Sequence, residues 1–441
     1  MNASEQNKPN QQERVIPKLR FPEFQTALGW KRHQLSEYSK IVRGGSPRPI
    51  EKYLTQDKEG LNWLKIGDVE KDAKYVIKTA EKVSLSALSK TREVNEGDFI
   101  LSNSMSFGRP YILKIKTCIH DGWIAITNID IKLDKNYLYY LMLTSSCQNY
   151  FFKNAAGSSV LNLNAEIIKS LPISLPEISE QQKIADCLSS LDELIELQEQ
   201  KLVALKQHKK GLMQQLFPSH NDLQASKQAS KQASKQASKQ ASKIVYPKLR
   251  FPQFKNCEGW DVVELRDVGY FVKEKMEVIN LESPNYISTE NLLSDYGGVT
   301  ASNKLPTTEK VTAYKKNDIL VSNIRPYLKK VWQADKNGGA SNDIIIIRAK
   351  PSINISFLSF AIKNDDFIDY MMKGAKGVKM PRGDLNLISI FPVAVPTSPK
   401  EQQAIADCLS SLDNLINEQN ERIGRLKTHK KGLMQQLFPN I

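Results

Sequence analysis

Five cysteines and five histidines are all the soft metal-ligand chemistry in these 441 residues, and neither type is grouped. Cys118, Cys147, Cys187, Cys257 and Cys408 show no CxxC spacing and the histidines no HxxxH, so neither a disulfide framework nor a zinc site is indicated. Long apolar runs are missing too. The aliphatic stretch Ile344 to Ile347 falls far short of the roughly 20 residues that a membrane-spanning helix needs, and the polar N-terminal segment shows no secretory signal. There is no GxxxxGK[ST] phosphate loop, GxSxG elbow or HExxH pair, no NPPY or DPPF of the adenine-methyltransferase kind, and no convincing nuclease carboxylate cluster. The expectation is a cytoplasmic, metal-free protein, away from membranes, with no catalytic or cofactor-binding residue of its own.

What is present is positive charge and repetition. A net charge of +14 favours a polyanionic partner, nucleic acid first. The nonapeptide IADCLSSLD at Ile184 to Asp192 recurs unchanged at Ile405 to Asp413, and HKKGLMQQLFP at His208 to Pro218 recurs at His429 to Pro439. PKLRFP at Pro17 to Pro22 returns at Pro247 to Pro252, each time followed by Gly-Trp (Gly29-Trp30, Gly259-Trp260). The chain is a tandem duplication whose long inserts have diverged.

From Ile184, apolar residues recur at alternating steps of four and three, the spacing of a coiled-coil seam. The second copy repeats the pattern from Ile405 and even its polar interruptions, Gln198 with Gln419 and Lys209 with Lys430. Polar seam residues fix register at a cost in stability, so the two helices read as partners. Ser179 with Gln182, and Ser398 with Pro399 and Glu401, predict the helix starts; Pro218 and Pro439 end them.

The spacing divides the chain into a first domain over 14–175, a long helix over 176–218, a spacer over 219–246, a second domain over 247–395 and a second long helix over 396–439. The spacer carries five consecutive QASK tetrapeptides, good helix formers without an apolar face. As a helix, four residues would advance about 6 Å with a net rotation near 40°, and one base pair of B-DNA advances about 3.4 Å and turns about 35°, so one QASK more or less would rotate a downstream domain by about one base-pair step. Both inserts mix aliphatic strands (Asp98 to Leu101, Trp123 to Asp130, Asp318 to Val321, Asp343 to Arg348) with helical stretches (Tyr137 to Phe152, Ile355 to Lys373), predicting α/β mixed domains.

The candidate nucleic-acid contacts are polar and basic residues in loops. Arg43, Gly45, Ser46 and Arg48 lie in RGGSPR, where glycines permit close backbone approach. Asn103 and Arg109 are echoed by Asn323, Arg325 and Tyr327; residues shared by both domains cannot carry a difference between them, so these point to framework or phosphate roles. Ser104, Ser106, His120 and Ser158 in the first domain, and Lys273, Lys275, Lys376, Lys379 and Arg382 in the second, are the divergent candidates for reading bases.

In order and spacing these features resemble the specificity subunit of type I restriction-modification enzymes. PKLRFPEF with Gly29-Trp30, Gly44-Gly45-Ser46-Pro47, Gly97-Asp98 with Ser102, Leu171-Pro172-Ile173 through Glu180-Gln181-Gln182, and the IADCLSSLD helix carry the likeness, most of them twice. The second domain departs from it, with Phe271-Val272-Lys273 in place of the GGSP loop. The resemblance implies two α/β target-recognition domains joined by two long antiparallel coiled-coil helices, an asymmetric bipartite site in double-stranded DNA, and a gap set by the tetrapeptide repeat. It further implies two methyltransferase subunits and two restriction-translocase subunits as partners, holding S-adenosylmethionine, ATP and magnesium. A related bipartite methyltransferase system without a translocase, and a coiled-coil scaffold for proteins alone, are the alternatives.

Overall fold

The computed structural model describes residues 14–440 apart from 71, 104–106, 156–161, 220, 224–243 and 378. The QASK repeats and Ser104, Ser106 and Ser158 therefore lie outside the described residues. Two compact units emerge, Met1–Glu199 with Glu421–Ile441, and Gln200–Asn420. The first is assembled from both ends of the chain.

Both long helices form, Ile178–Leu216 and Pro399–Leu437, each of 39 residues. Each begins in one unit and ends in the other. In the first unit the opening half of the first helix lies antiparallel to the closing half of the second. Ile184, Ala185 and Leu188 share a core with Leu433, Met434, Leu437 and Phe438, Asp192 pairs with Lys430, and Glu199 with Lys427 at 2.6 Å. In the second unit Leu212, Met213 and Leu216 pack with Ile405, Ala406 and Leu409, and Lys209 meets Asp413 at 2.5 Å. The seam lysines do not pair within their own copies. Each reaches the aspartate that closes the other copy's IADCLSSLD, while Gln198 is half-buried and Gln419 buried.

The starts of the helices differ from each other. The second begins at Pro399, with Ser398 accepting from Glu401 and Gln402 through its carbonyl. The first begins at Ile178, one residue before Ser179, and Glu177 supplies the equivalent carbonyl to Glu180 and Gln181. Ser179 is thus inside the first turn and is not the cap.

Where the long helix meets each globular domain, the three echoes converge. Arg20 of PKLRFP makes a bidentate pair with Glu180, both bonds 2.7 Å, with side chains only 7% and 2% exposed. Its remaining donors reach the carbonyls of Ala27 and Leu28. Arg250 does the same with Glu401 at 2.7 Å and with the carbonyls of Cys257 and Glu258. The next residue, Gln181, accepts from the Asp134 backbone and donates to the carbonyls of Lys132 and Pro176. Gln402 repeats this with Asn354 and Pro396. The third echo closes the joint: Leu19 N donates to Gln436 O at 3.0 Å, and Leu249 N to Gln215 O at 2.9 Å. Each PKLRFP is therefore capped by the MQQLFP of the other copy.

The globular part of the first unit holds a two-stranded sheet (Lys31–Gln34 with Pro172–Leu175) and two five-stranded sheets. One of these orders Lys40–Arg43, Trp123–Thr127, Phe99–Ser102, Pro110–Leu113 and Tyr75–Val76; its central strands are buried apart from Thr127, as their apolar runs require. The second unit repeats the core of this sheet as Gly269–Phe271, Ile344–Ala349, Ile319–Ser322 and Val331–Gln333. The register is conserved, Ser102 opposite Trp123 and Ser322 opposite Ile344. The helical stretches are each broken in two. Thr144 caps Ser145–Asn154 after Lys135–Leu143, its side-chain oxygen accepting from Cys147 N, and Asn364 caps Asp365–Lys373 after Ile355–Ile362, accepting from Asp366 N.

Removing one member of a buried, bidentate pair leaves the other charge uncompensated, at about 3–5 kcal/mol. Arg250→Ala is expected to lower unfolding free energy by about that amount, whereas Arg425→Ala, which removes an exposed pair with Glu421, costs under about 1 kcal/mol; denaturant titration of both checks it. A second expectation concerns Lys363, whose ammonium is pushed down to about 8 by burial beside Phe360, with Asp413 opposing the shift and Lys209 adding to it. Between about 8 and the ordinary 10.5 the unfolded chain binds more protons than the folded one, so Lys363 makes stability rise with pH across that window. Denaturant midpoints of the wild type and Lys363→Met, compared from pH 7 to 10.5, should converge as pH rises.

Candidate nucleic-acid interface

The strand Lys40–Arg43 runs along Trp123–Thr127 and delivers its following loop onto the turn His120-Asp121-Gly122. Gly44 N donates to Trp123 O at 2.9 Å and Gly45 N to Ile119 O at 3.1 Å. The approach is too close for a side chain: a Cβ on Gly44 would stand 2.0 Å from the His120 carbonyl oxygen, and one on Gly45 2.7 Å from that of Lys90. Two glycines are needed to lay this loop against the turn.

Five of the candidate side chains then meet around one residue. Ser46 Oγ donates to Asp121 Oδ1 at 2.7 Å, and Arg48 Nη2 to Oδ2 at 3.2 Å. Arg43 Nε and Asn103 Nδ2 both donate to the Asp121 carbonyl, at 2.9 and 3.0 Å. His120 lies between the rings of Trp63 and Trp123 and accepts from Gly122 N at Nδ1. Burial pushes its imidazole below the ordinary value despite the neighbouring Asp121 carboxylate. The Ser46 hydroxyl, followed by the charges of Arg48, His120 and Arg43, holds the Asp121 carboxyl below the usual range. The site is an anion held in a basic, glycine-shaped tip.

The second unit builds a tip at the same register. Ile41 and Phe271 each pair with the residue that faces the first position of the neighbouring central strand, so Phe271-Val272-Lys273 stands in place of Ile41-Val42-Arg43 and not, as expected, of the GGSP loop, and Lys273 takes the place of Arg43. Asn323 N donates to Asp343 O at 2.8 Å, as Asn103 N does to Gly122 O at 3.1 Å. Lys275 Nζ donates to Asn342 Oδ1 at 2.9 Å and to Thr312 Oγ1 at 3.0 Å. Arg382 Nη2 reaches Asp343 Oδ1 at 3.1 Å. A hairpin closed by paired backbone bonds between Lys376 and Arg382, with Gly377 at φ +99°, presents Lys376, Lys379 and Arg382 to solvent.

The shared asparagines stand at matching places in both turns, Asn103 bonded through its backbone and side chain and Asn323 through its backbone, but the arginine echo divides. Pro110–Leu113 is a strand, Pro110 pairing with Leu101; the strand at that place in the second unit is Val331–Gln333, so Arg325-Pro326-Tyr327 is not its counterpart. Arg109 pairs with Asp72 at 3.7 Å. Arg325 adopts φ +51°, donates its N–H to Pro381 O, and leads into the turn carrying the half-exposed Tyr327. Sequence reading missed Asp121, Asn342 and Asp343. Their signal was there, a turn-forming Asp or Asn immediately ahead of the most aliphatic strand of each domain. Among the described residues no group of three or more His, Cys, Asp or Glu is placed to hold a metal, and no helix is long and apolar enough to cross a membrane.

The sequence profile described as "Type I restriction modification DNA specificity domain" matches residues 28–207 and again 257–426. The chain is 21% identical over 439 residues to the type I restriction enzyme MjaVIII specificity subunit of Methanocaldococcus jannaschii, covering 95% of this chain and 93% of that one. It is 22% identical over 320 residues to the EcoDI specificity subunit of Escherichia coli, covering 70% of each. Its fold is similar to the crystal structure of a type I restriction-modification S subunit from M. genitalium, with a TM-score of 0.54 at 16% identity over 97% of this chain and 100% of that one.

Gly44→Ala forces the tip apart, and is expected to lower specific DNA affinity of the assembled complex tenfold or more, roughly the effect of losing one to two good base contacts. Gly67→Ala is the control, since a Cβ there meets nothing within 4 Å. Equilibrium binding to cognate duplex distinguishes the two.

Proposed function

Because the chain belongs to the type I restriction-modification DNA specificity family, we propose that its two tips are the base-reading surfaces of a bipartite recognition subunit. The observation that carries this is the same turn, at the same strand register, furnished with different polar groups in the two domains: Asp121 with Ser46 and Arg48 in one, Asn342 and Asp343 with Lys275 and Arg382 in the other. A common scaffold with unlike tips would read an asymmetric site. The chain supplies recognition and no catalysis. Its exposed lysines and arginines would neutralise backbone phosphates, giving affinity that falls steeply with salt.

Methylation of adenine and restriction belong in this reading to partners, two methyltransferase subunits binding S-adenosylmethionine and two translocase-nuclease subunits using ATP and magnesium, in the cytoplasm. The long helices, bearing the sequence shared by both copies, are the natural seat for two like subunits. The QASK segment would act as the ruler between half-sites.

Expression with the cognate methyltransferase subunit, followed by single-molecule sequencing of methylated adenine, is expected to return one asymmetric bipartite motif. Deleting one QASK should shorten the gap by about one base pair and leave both half-sites intact. A change in half-site bases on that deletion contradicts the ruler, and no new motif from an assembled complex contradicts the recognition role.

A further inference from the structure

We infer that Asp121 is a specificity-determining residue of the first domain, its carboxylate accepting a hydrogen bond from the exocyclic amino group of an adenine or cytosine. The inference rests on the reading that this tip faces DNA.

A carboxylate at a surface that must approach phosphates is costly unless the nucleic acid offers it a donor. Duplex DNA offers few. Its phosphodiesters and deoxyriboses carry no N–H or O–H, and in the major groove the donors are adenine N6 and cytosine N4. Asp121 is well placed to use one. Its side chain is 39% exposed at the apex of the turn, while its backbone is clamped by Arg43 and Asn103. Ser46 takes one bond at Oδ1 and Arg48 one at Oδ2. An ionised carboxylate has about four lone-pair sites, so acceptor capacity is left after both. Arg48, 80% exposed and held by a single 3.2 Å contact, is free to turn to a neighbouring phosphate without unseating the carboxylate.

The second domain makes the contrast that a two-part reader requires. Asn342 occupies the matching place, one residue further from the strand pairing than Asp343, and its Oδ1 is engaged by Lys275. At this position the side chains offer donors, the Asn342 amide nitrogen and the Lys275 ammonium, suited to guanine O6 and N7 or thymine O4, while the carboxylate of the next residue, Asp343, is paired with Arg382. A carboxylate at this position of one turn and an amide beside an ammonium at the same position of the other give the two positions different base preferences.

The test uses the full chain assembled with its methyltransferase subunit, and duplexes in which each base pair of the motif is varied in turn. Asp121→Asn keeps the shape but replaces one acceptor oxygen with a donor. It is expected to relax one position of the first half-site, so that guanine or thymine is accepted there, with discrimination falling roughly five- to 150-fold. The second half-site should not change, which also reports that the variant is folded. With the wild-type chain, a duplex whose base at that position lacks only the amino group should lose affinity by a similar factor, and Asp121→Asn should be indifferent to that deletion. Unchanged discrimination at every position in Asp121→Asn overturns the inference. Asp121→Lys separates the two levels: if the tip faces DNA, the added charge raises nonspecific affinity and steepens its salt dependence. No effect of Asp121→Lys on either overturns the tip reading as well.

Discussion

The buried bidentate pair of arginine and glutamate, Arg20 with Glu180 and Arg250 with Glu401, is the contact on which the rest of the structure depends. It ties the segment that leads into each globular domain to the first turn of the long helix that leaves it. A guanidinium has five donors in a fixed fork; here two meet the carboxylate and others take backbone carbonyls of the following turn, so the charge is buried with its hydrogen bonds satisfied. The adjacent glutamine then pins the helix that crosses above, Gln181 at Asp134 and Gln402 at Asn354. These geometries account for the arginine of PKLRFP and the glutamate and first glutamine of EQQ surviving in both copies.

The other echoes are explained by exchange. IADCLSSLD of one copy lies against HKKGLMQQLFP of the other, with a lysine-aspartate pair in each unit, Lys430 with Asp192 and Lys209 with Asp413. A change in either segment of one copy would have to be matched in a distant segment of the other. The aromatic neighbour is freer: Tyr140 donates to Asp192 where Phe360 has only its ring to offer Lys209. The frame is therefore constrained twice over, while the tips have drifted to Ser46 and Arg48 in one domain and Lys275 and Arg382 in the other.

Much of the frame was legible in the sequence because it is repetitive and periodic. The heptad spacing from Ile184 and Ile405 gave the two helices, and the unbroken apolar runs gave the buried central strands. The partners of the seam lysines were not legible, since Asp192 and Asp413 lie more than two hundred residues from them and outside the apolar pattern. The helix breaks at Thr144 and Asn364 were hidden by apolar residues continuing on both sides. At the tips, Arg43, Ser46, Arg48, Asn103 and His120 could be chosen by residue type and loop context; Asp121 was marked by the letters only as a turn former ahead of an aliphatic strand, not as the residue that gathers them. Its role depends on the pairing of two strands that are some eighty residues apart in the chain. The same reasoning misled at Arg109 and Arg325, where a likeness of letters concealed a strand in one domain and a turn in the other.

The central claim is that two separate tips on a common frame do the reading. Hydrogen exchange of the full chain in its methyltransferase complex, with and without a cognate duplex, tests it directly. The account predicts DNA-dependent protection at two places, around 43–48 and 120–122 in the first domain and around 273–275, 341–343 and 376–382 in the second. Protection by DNA confined to the long helices, or to one domain alone, would contradict it.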